Sequence, residues 1–165
     1  MPVYKNKVEW RGGHLGYTKC QNNVEMEFSA PPALFGMPDV LTPEDAFVAA
    51  ANTCYHMMVI WAMERFKIEL VSFECEAEGE VEEFIDRTSW FKKVTLSPNV
   101  VAKGKPQEVV QRALEMALKY STICQSLKSE VSLKPTIMVQ QVIAYCRKDT
   151  TLRFWGVGRL DTKVQ

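Results

Sequence analysis

Hydrophobic and polar residues alternate with a period of two over 3–10 (VYKNKVEW), 15–20 (LGYTKC) and 24–29 (VEMEFS). The turn-forming stretches Arg11-Gly12-Gly13-His14 and Gln21-Asn22-Asn23 separate them, which predicts an N-terminal antiparallel meander. Pro31, Pro32, Gly36 and Pro38 then remove all periodicity across 30–41, predicting a loop. Thr42 can cap a helix, Pro43 fits its first position, and Glu44 and Asp45 set negative charge against the dipole; the helix is predicted to run to about Phe66. Between Ala46 and Met63 only Asn52, Thr53 and His56 are strongly polar, so this helix is apolar nearly all round. Such a helix is buried on every side or lies in a membrane. The mid-span polar cluster and the amphipathic remainder of the chain point to burial. A subunit this small cannot by itself enclose a rod of about 35 Å, so a second copy is expected to cover part of it.

From Leu70 the period returns to two. Val71, Phe73, Cys75 and Ala77 alternate with Ser72, Glu74, Glu76 and Glu78, predicting a strand with one acidic face and Cys75 on the dry one. Residues 80–90 read as a charged turn region, and 91–97 (FKKVTLS) as a further strand ending before Pro98 and Asn99. Pro106 opens a second helix in which Val110, Ala113, Leu114, Ala117, Tyr120 or Ser121, and Cys124 recur at steps of three or four, placing Cys124 toward the core. Residues 130–139 (EVSLKPTIMV) read as a strand, and 140–165 as a less regular tail whose Phe154-Trp155 can pack on the body or a partner.

The length of 165 residues suits one domain spanning 1–165, and 47% hydrophobic with 24% charged residues is the balance of a globular protein. Lys+Arg and Asp+Glu each number 20, so no basic excess exists to hold nucleic acid. The N-terminus lacks the apolar core of a secretion signal, and a cytoplasmic protein with no membrane partner is expected. Five cysteines without a C-x-x-C spacing and two histidines make a metal site improbable.

Cys54 sits in the middle of the first helix. Its neighbours at three, four and seven residues include Phe47, Ala50, Ala51, Met57, Met58 and Trp61, so its thiol looks onto an apolar face. His56 shares roughly the opposite face with Asn52 and is a poor candidate for activating it. A cysteine so placed is either a small core residue or a shielded nucleophile.

The stretch from Thr42-Pro43-Glu44 through Ala49-Ala50-Ala51 to Cys54 resembles the helix signature of the osmotically induced protein C / organic hydroperoxide resistance (OsmC/Ohr) family: Thr/Asn-Pro-Glu, an Ala-rich stretch, then Cys. The order of elements is similar too, from Trp10-Arg11-Gly12-Gly13 to Ser126-Leu127-Lys128-Ser129-Glu130-Val131, so the resemblance covers roughly 3–139 and leaves 140–165 as a C-terminal extension. It implies an OsmC/Ohr-like α+β fold in which N-terminal antiparallel strands and a second β region wrap two central helices of an intertwined homodimer. It also implies a thiol peroxidase in which Cys54 attacks the peroxide, a second-helix cysteine resolves the sulfenic acid to a disulfide, and an arginine held by the glutamate of the Pro-Glu motif, here Glu44, activates the thiol.

Two departures from the family pattern bear on this. The hydroperoxide-resistance branch has Gly-Arg where this chain has Gly13-His14, and the 30–41 loop carries no arginine; Arg11, three residues earlier, is either a substitute for that cation or an exposed turn arginine, and His14 is a weaker alternative. Aligning 125–131 with the end of the family's second helix puts Ser121 at the resolving position and Cys124 three residues beyond. Three mechanisms follow: Cys124 resolves, Cys54 works alone with an external thiol, or catalysis is lost. The expected function is thiol-dependent reduction of organic hydroperoxides by Cys54, with Cys124 resolving. Phe47, Met57, Met58 and Trp61 would form an apolar substrate collar favouring alkyl peroxides. A thiol reductant is required, and no metal or organic cofactor. The alternative is a catalytically degenerate relative that binds a hydrophobic small molecule in the dimer cavity. Cys20, Cys75 and Cys146 are assigned to the core.

Overall fold

A computed structural model describes residues 1–140. Cys146, Phe154-Trp155 and the extension from 141 onward lie outside the described residues. The architecture is α+β, with two separate sheets and a helical layer. Strands β1 (Asn6–Gly12), β2 (Leu15–Cys20) and β3 (Glu25–Ser29) form an antiparallel meander. Helix α1 (Pro43–Phe66) leads to a long hairpin of β4 (Glu69–Glu83) and β5 (Ser89–Lys103). Helices α2 (Gln107–Tyr120) and α3 (Thr122–Ser126) follow, then β6 (Glu130–Leu133) and β7 (Thr136–Gln140), both parallel to β5.

The second sheet differs from its expected outline in two places. Residues 80–83 and 98–103 are strand rather than turn, because β4 and β5 pair along almost their whole length and the connection shrinks to the few residues around Arg87, whose N–H donates to the Phe84 carbonyl at 2.9 Å. The predicted single strand 130–139 is interrupted at Lys134-Pro135. β6 and β7 keep one register against β5, so Pro98 stands opposite Pro135, where the parallel ladder is interrupted.

The core lies where α1 and α2 pack on each other and on the second sheet. Tyr55, Val59 and Met63 of α1, Leu96 and Val100 of β5, and Leu114 of α2 are its bulk. Although α1 has the length and composition to cross a bilayer, it is the central helix of this fold, packed against α2, α3 and β4. Only 28% of its most apolar window is buried within one subunit. Ala46, Ala49, Ala50, Thr53 and Met57 remain open along one side.

The N-terminal sheet is likewise one-sided. Strand alternation and register place Lys7, Glu9, Tyr17, Lys19 and Glu25 on one face, bound together by ion pairs of Glu9 with Lys7 and Arg11 and of Lys19 with Glu25. The other face carries Val8, Trp10, Met26 and Phe28, with Val8 57% and Trp10 77% exposed. Gly16 is required there, since a Cβ would overlap the Phe28 ring lying across it. Buried Ser29 ties the sheet to the following loop: its hydroxyl donates to the His14 carbonyl and accepts from the Met37 N–H, each at 3.0 Å.

Candidate active site

The start of α1 is fixed locally. The Thr42 hydroxyl accepts from the Asp45 N–H at 3.1 Å, and the Asp45 carboxylate accepts from the Thr42 N–H at 3.3 Å, a reciprocal capping box. Glu44 projects outward from this first turn, is exposed, and has no ion-pair partner among the described residues. Three turns further on lies Cys54, half-buried and with a free thiol.

The second thiol reaches α1 from a helix that breaks. The periodicity predicted one helix from Pro106 through Cys124, but α2 ends at Tyr120 and Ser121 adopts φ −70°, ψ 106°. The Ser121 hydroxyl accepts from the Cys124 N–H at 3.4 Å and its carbonyl accepts from the Gln125 N–H at 2.9 Å, opening α3. Gln125 Nε2 returns to the Leu118 carbonyl at 3.1 Å, which also accepts the Ser121 N–H at 3.2 Å. Cys124, 4% exposed, donates from Sγ to the Ala51 carbonyl at 3.5 Å, and Ala51 lies one turn before Cys54. Burial pushes the Cys124 thiol up, the Ser121 hydroxyl draws it back, and Cys54 pushes it up again.

The expected collar divides. Met58 and Trp61 pack against the core, with the Trp61 ring 5.3 Å from Tyr120 of α2 and the Arg65 guanidinium 5.6 Å above it. Phe47 turns to the sheet and stacks on Phe91 at 4.3 Å. Met57, 59% exposed, lies on the open side of α1. On another side of the helix a small cavity of about 130 Å³ is lined by Asn52, Thr53, His56, Phe73, Glu74 and Cys75. Asn52 Nδ2 donates to the Cys75 carbonyl at 2.8 Å there, and the His56 ring stands edge-on to Phe73 at 4.9 Å. The Cys75 thiol is half-buried and pushed up to about 11 by burial.

Arg11 sits at a bulge in β1. Its guanidinium meets the Glu9 carboxylate at 3.0 Å and lies 4.9 Å over the Tyr17 ring, on the charged face of the N-terminal sheet. His14 is exposed in the β1–β2 turn. Neither Arg11 nor Glu44 pairs with the other within the subunit. Among the described residues no three His, Cys, Asp or Glu side chains gather as a metal site. Sequence reasoning missed Ser121 as a helix boundary; the signal was the Ser121-Thr122 pair, two residue types that favour caps over helix interiors, standing inside a helical period.

Comparison with known proteins follows the same outline. A family model described as "OsmC-like protein" matches residues 36–136. The chain is 27% identical over 120 residues to the uncharacterised protein YmaD of Bacillus subtilis (strain 168), covering 72% of this chain and 79% of that one. Its fold is similar to that of VCA0330, an OsmC-like protein of unknown function from Vibrio cholerae, with a TM-score of 0.75 at 19% identity over 82% of this chain and 100% of the other. It is also similar to an organic hydroperoxide resistance protein from Elizabethkingia anophelis, with a TM-score of 0.66 at 21% identity over 84% and 99% of the two chains.

Proposed function

We propose, from the premise that this chain belongs to the OsmC-like protein family, that it is a thiol-dependent peroxidase that reduces organic hydroperoxides through Cys54 and resolves the product through Cys124. The observation that carries this reading is the Cys124 sulfur resting on the Ala51 carbonyl, in the helical turn that leads into Cys54.

The chemistry runs in two steps. The Cys54 thiolate attacks the terminal peroxide oxygen, the O–O bond breaks, and the departing alkoxide takes the proton that the thiol has shed, leaving an alcohol and a sulfenic acid on Cys54. The Cys124 thiolate then attacks the sulfenic sulfur, an S–S bond forms, the S–O bond breaks, and hydroxide leaves with a proton as water. A thiol reductant returns both cysteines to the reduced state. Met58 and Trp61 offer an alkyl chain apolar surface beside the nucleophile, with Phe47 and Met57 at the margins, and the substrate class is alkyl hydroperoxides.

The working unit is a homodimer, since the open side of α1 and the apolar face around Val8 and Trp10 both lack cover within the subunit. We assign the activating cation to Arg11, steadied by Glu44. The N-terminal sheet has little contact with α1 of its own subunit, so Arg11 reaches α1, the helix that carries both Glu44 and Cys54, across the dimer. A reducing cytoplasm is the compartment that keeps such thiols in working form.

One observation favours a second reading. Arg11 is held by Glu9 and Tyr17, and a protein in which it stays there would be a degenerate relative binding a hydrophobic small molecule in the dimer cavity. Purified protein, a dithiol and cumene hydroperoxide separate the two. Consumption of peroxide that disappears in Cys54→Ser, with a Cys54–Cys124 disulfide detected by mass spectrometry after one equivalent, supports the peroxidase. The absence of turnover with any dithiol favours the binder.

A further inference from the structure

We propose that Ser121 is the positioning residue of the resolving thiol: by ending α2 and capping α3 it carries Cys124 onto the α1 turn that precedes Cys54 and holds the sulfur there for attack. This rests on the peroxidase reading above and adds to it a residue without which the second step is slow.

The geometry argues for it from both sides. Had α2 continued, Cys124 would lie about 4.5 Å further along the same axis, following the ordinary rise per residue. The turn to ψ 106° at Ser121 redirects the chain, and two hydrogen bonds, N–H of Cys124 to the Ser121 hydroxyl and N–H of Gln125 to the Ser121 carbonyl, anchor the first turn of α3 to that one residue. The redirected sulfur meets the Ala51 carbonyl. Ser121 has no exposed surface and Cys124 almost none, so bulk water cannot replace the hydroxyl.

The electrostatics of the attacking group fit the same role. Cys124 must become a thiolate to attack, and burial opposes this. The Ser121 hydroxyl and the Cys124 amide itself favour the charged form. Cys54 of α1 disfavours it, and Tyr55 of α1 and Cys75 of β4 are the other ionisable groups in electrostatic range, each pushed up chiefly by burial and to a smaller extent by Cys124. No cation is among the groups acting on Cys124 within the described residues. The hydroxyl thus adds an influence favouring the thiolate to the placement of Cys124 that the α3 cap supplies. In the step it assists, the proton from the Cys124 thiol and the hydroxide displaced from Cys54 leave together as water.

The test compares wild type with Ser121→Ala and Ser121→Thr. After one equivalent of cumene hydroperoxide, dimedone trapping reports the Cys54 sulfenate and quenched-flow mass spectrometry reports the disulfide. In Ser121→Ala the sulfenate is expected to form as in wild type, while disulfide formation slows about tenfold at pH 7 as the α3 cap is lost, and its pH profile moves alkaline with the loss of an influence that favours the thiolate. Ser121→Thr keeps the hydroxyl and is expected to recover most of the rate. A Ser121→Ala protein that resolves at the wild-type rate with an unmoved profile overturns the proposal. If that variant is insoluble, Ser121→Gly removes the hydroxyl without adding bulk and is judged by the same outcomes. A pH titration of ¹³C-labelled Cys124 Cβ needs no peroxide and separates the two claims. An alkaline displacement in Ser121→Ala supports the contact even if wild type forms no Cys54–Cys124 disulfide, a result that would end the peroxidase reading alone; an unmoved titration overturns the contact whatever the enzyme does.

Discussion

On the proposed mechanism, the pH dependence of disulfide formation by Cys124 gives the sharpest measure of how the buried thiol works. Burial lifts the Cys124 thiol above its ordinary value of 9.0, and the Ser121 hydroxyl opposes that rise without being the largest influence. The reactive form is the thiolate. With the thiol value above 9, the thiolate is on the order of 1% of the population or less at pH 7, and it grows tenfold with each pH unit. Disulfide formation after a single equivalent of peroxide is therefore expected to rise close to tenfold per pH unit from pH 6 to pH 8, with no plateau below about pH 9. The perturbation is pH alone, read by acid quench, alkylation and mass spectrometry at each value. Cys124→Ser supplies the control. It keeps a hydroxyl that can donate to the Ala51 carbonyl, so the fold is preserved while the attacking sulfur is gone, and the Cys54 sulfenate should persist until an external thiol removes it. A rate that levels off between pH 6 and pH 7.5 would mean that Cys124 is ionised near neutrality, and would refute the buried-thiol account of this step.

Three further outcomes follow from the fold. Thr42→Ala removes one half of the capping box at the start of α1 and should cost about 1–2 kcal/mol, read from urea denaturation. Gly16→Ala pushes a methyl into the Phe28 ring and should destabilise the protein by about 1–3 kcal/mol, seen as a lower Tm, whereas the same change at Gly12 meets no neighbour and strains only the backbone. Trp10→Glu sets a charge in the open apolar face of the N-terminal sheet, and sedimentation should show a lighter species than wild type; an unchanged sedimentation coefficient would remove that face from the subunit contact.

The sequence by itself determined the elements whose stability is local. Thr42, Pro43 and Asp45 mark the start of α1 because capping satisfies backbone groups within four residues, and the alternation from Ser72 marks β4 because side chains of a strand change faces at every step, whereas Val71, expected on the dry face, is turned outward by a bulge between Leu70 and Ser72. It also showed that Cys54 looks onto apolar neighbours and that His56 and Asn52 share another side, since both follow from helical spacing alone. The ends of the β4–β5 hairpin were hidden, because the acidic stretch 80–83 is held in a strand by pairing with 89–93 on β5 rather than by its own composition. Pro98 read as a terminus until β6 and β7 placed Pro135 opposite it. The break at Ser121, the approach of Cys124 to Ala51 and the capture of Arg11 by Glu9 were decided by packing between elements. Periodicity assigns a residue to a face, but only the arrangement of faces in space determines which sulfur meets which carbonyl and which carboxylate takes the arginine.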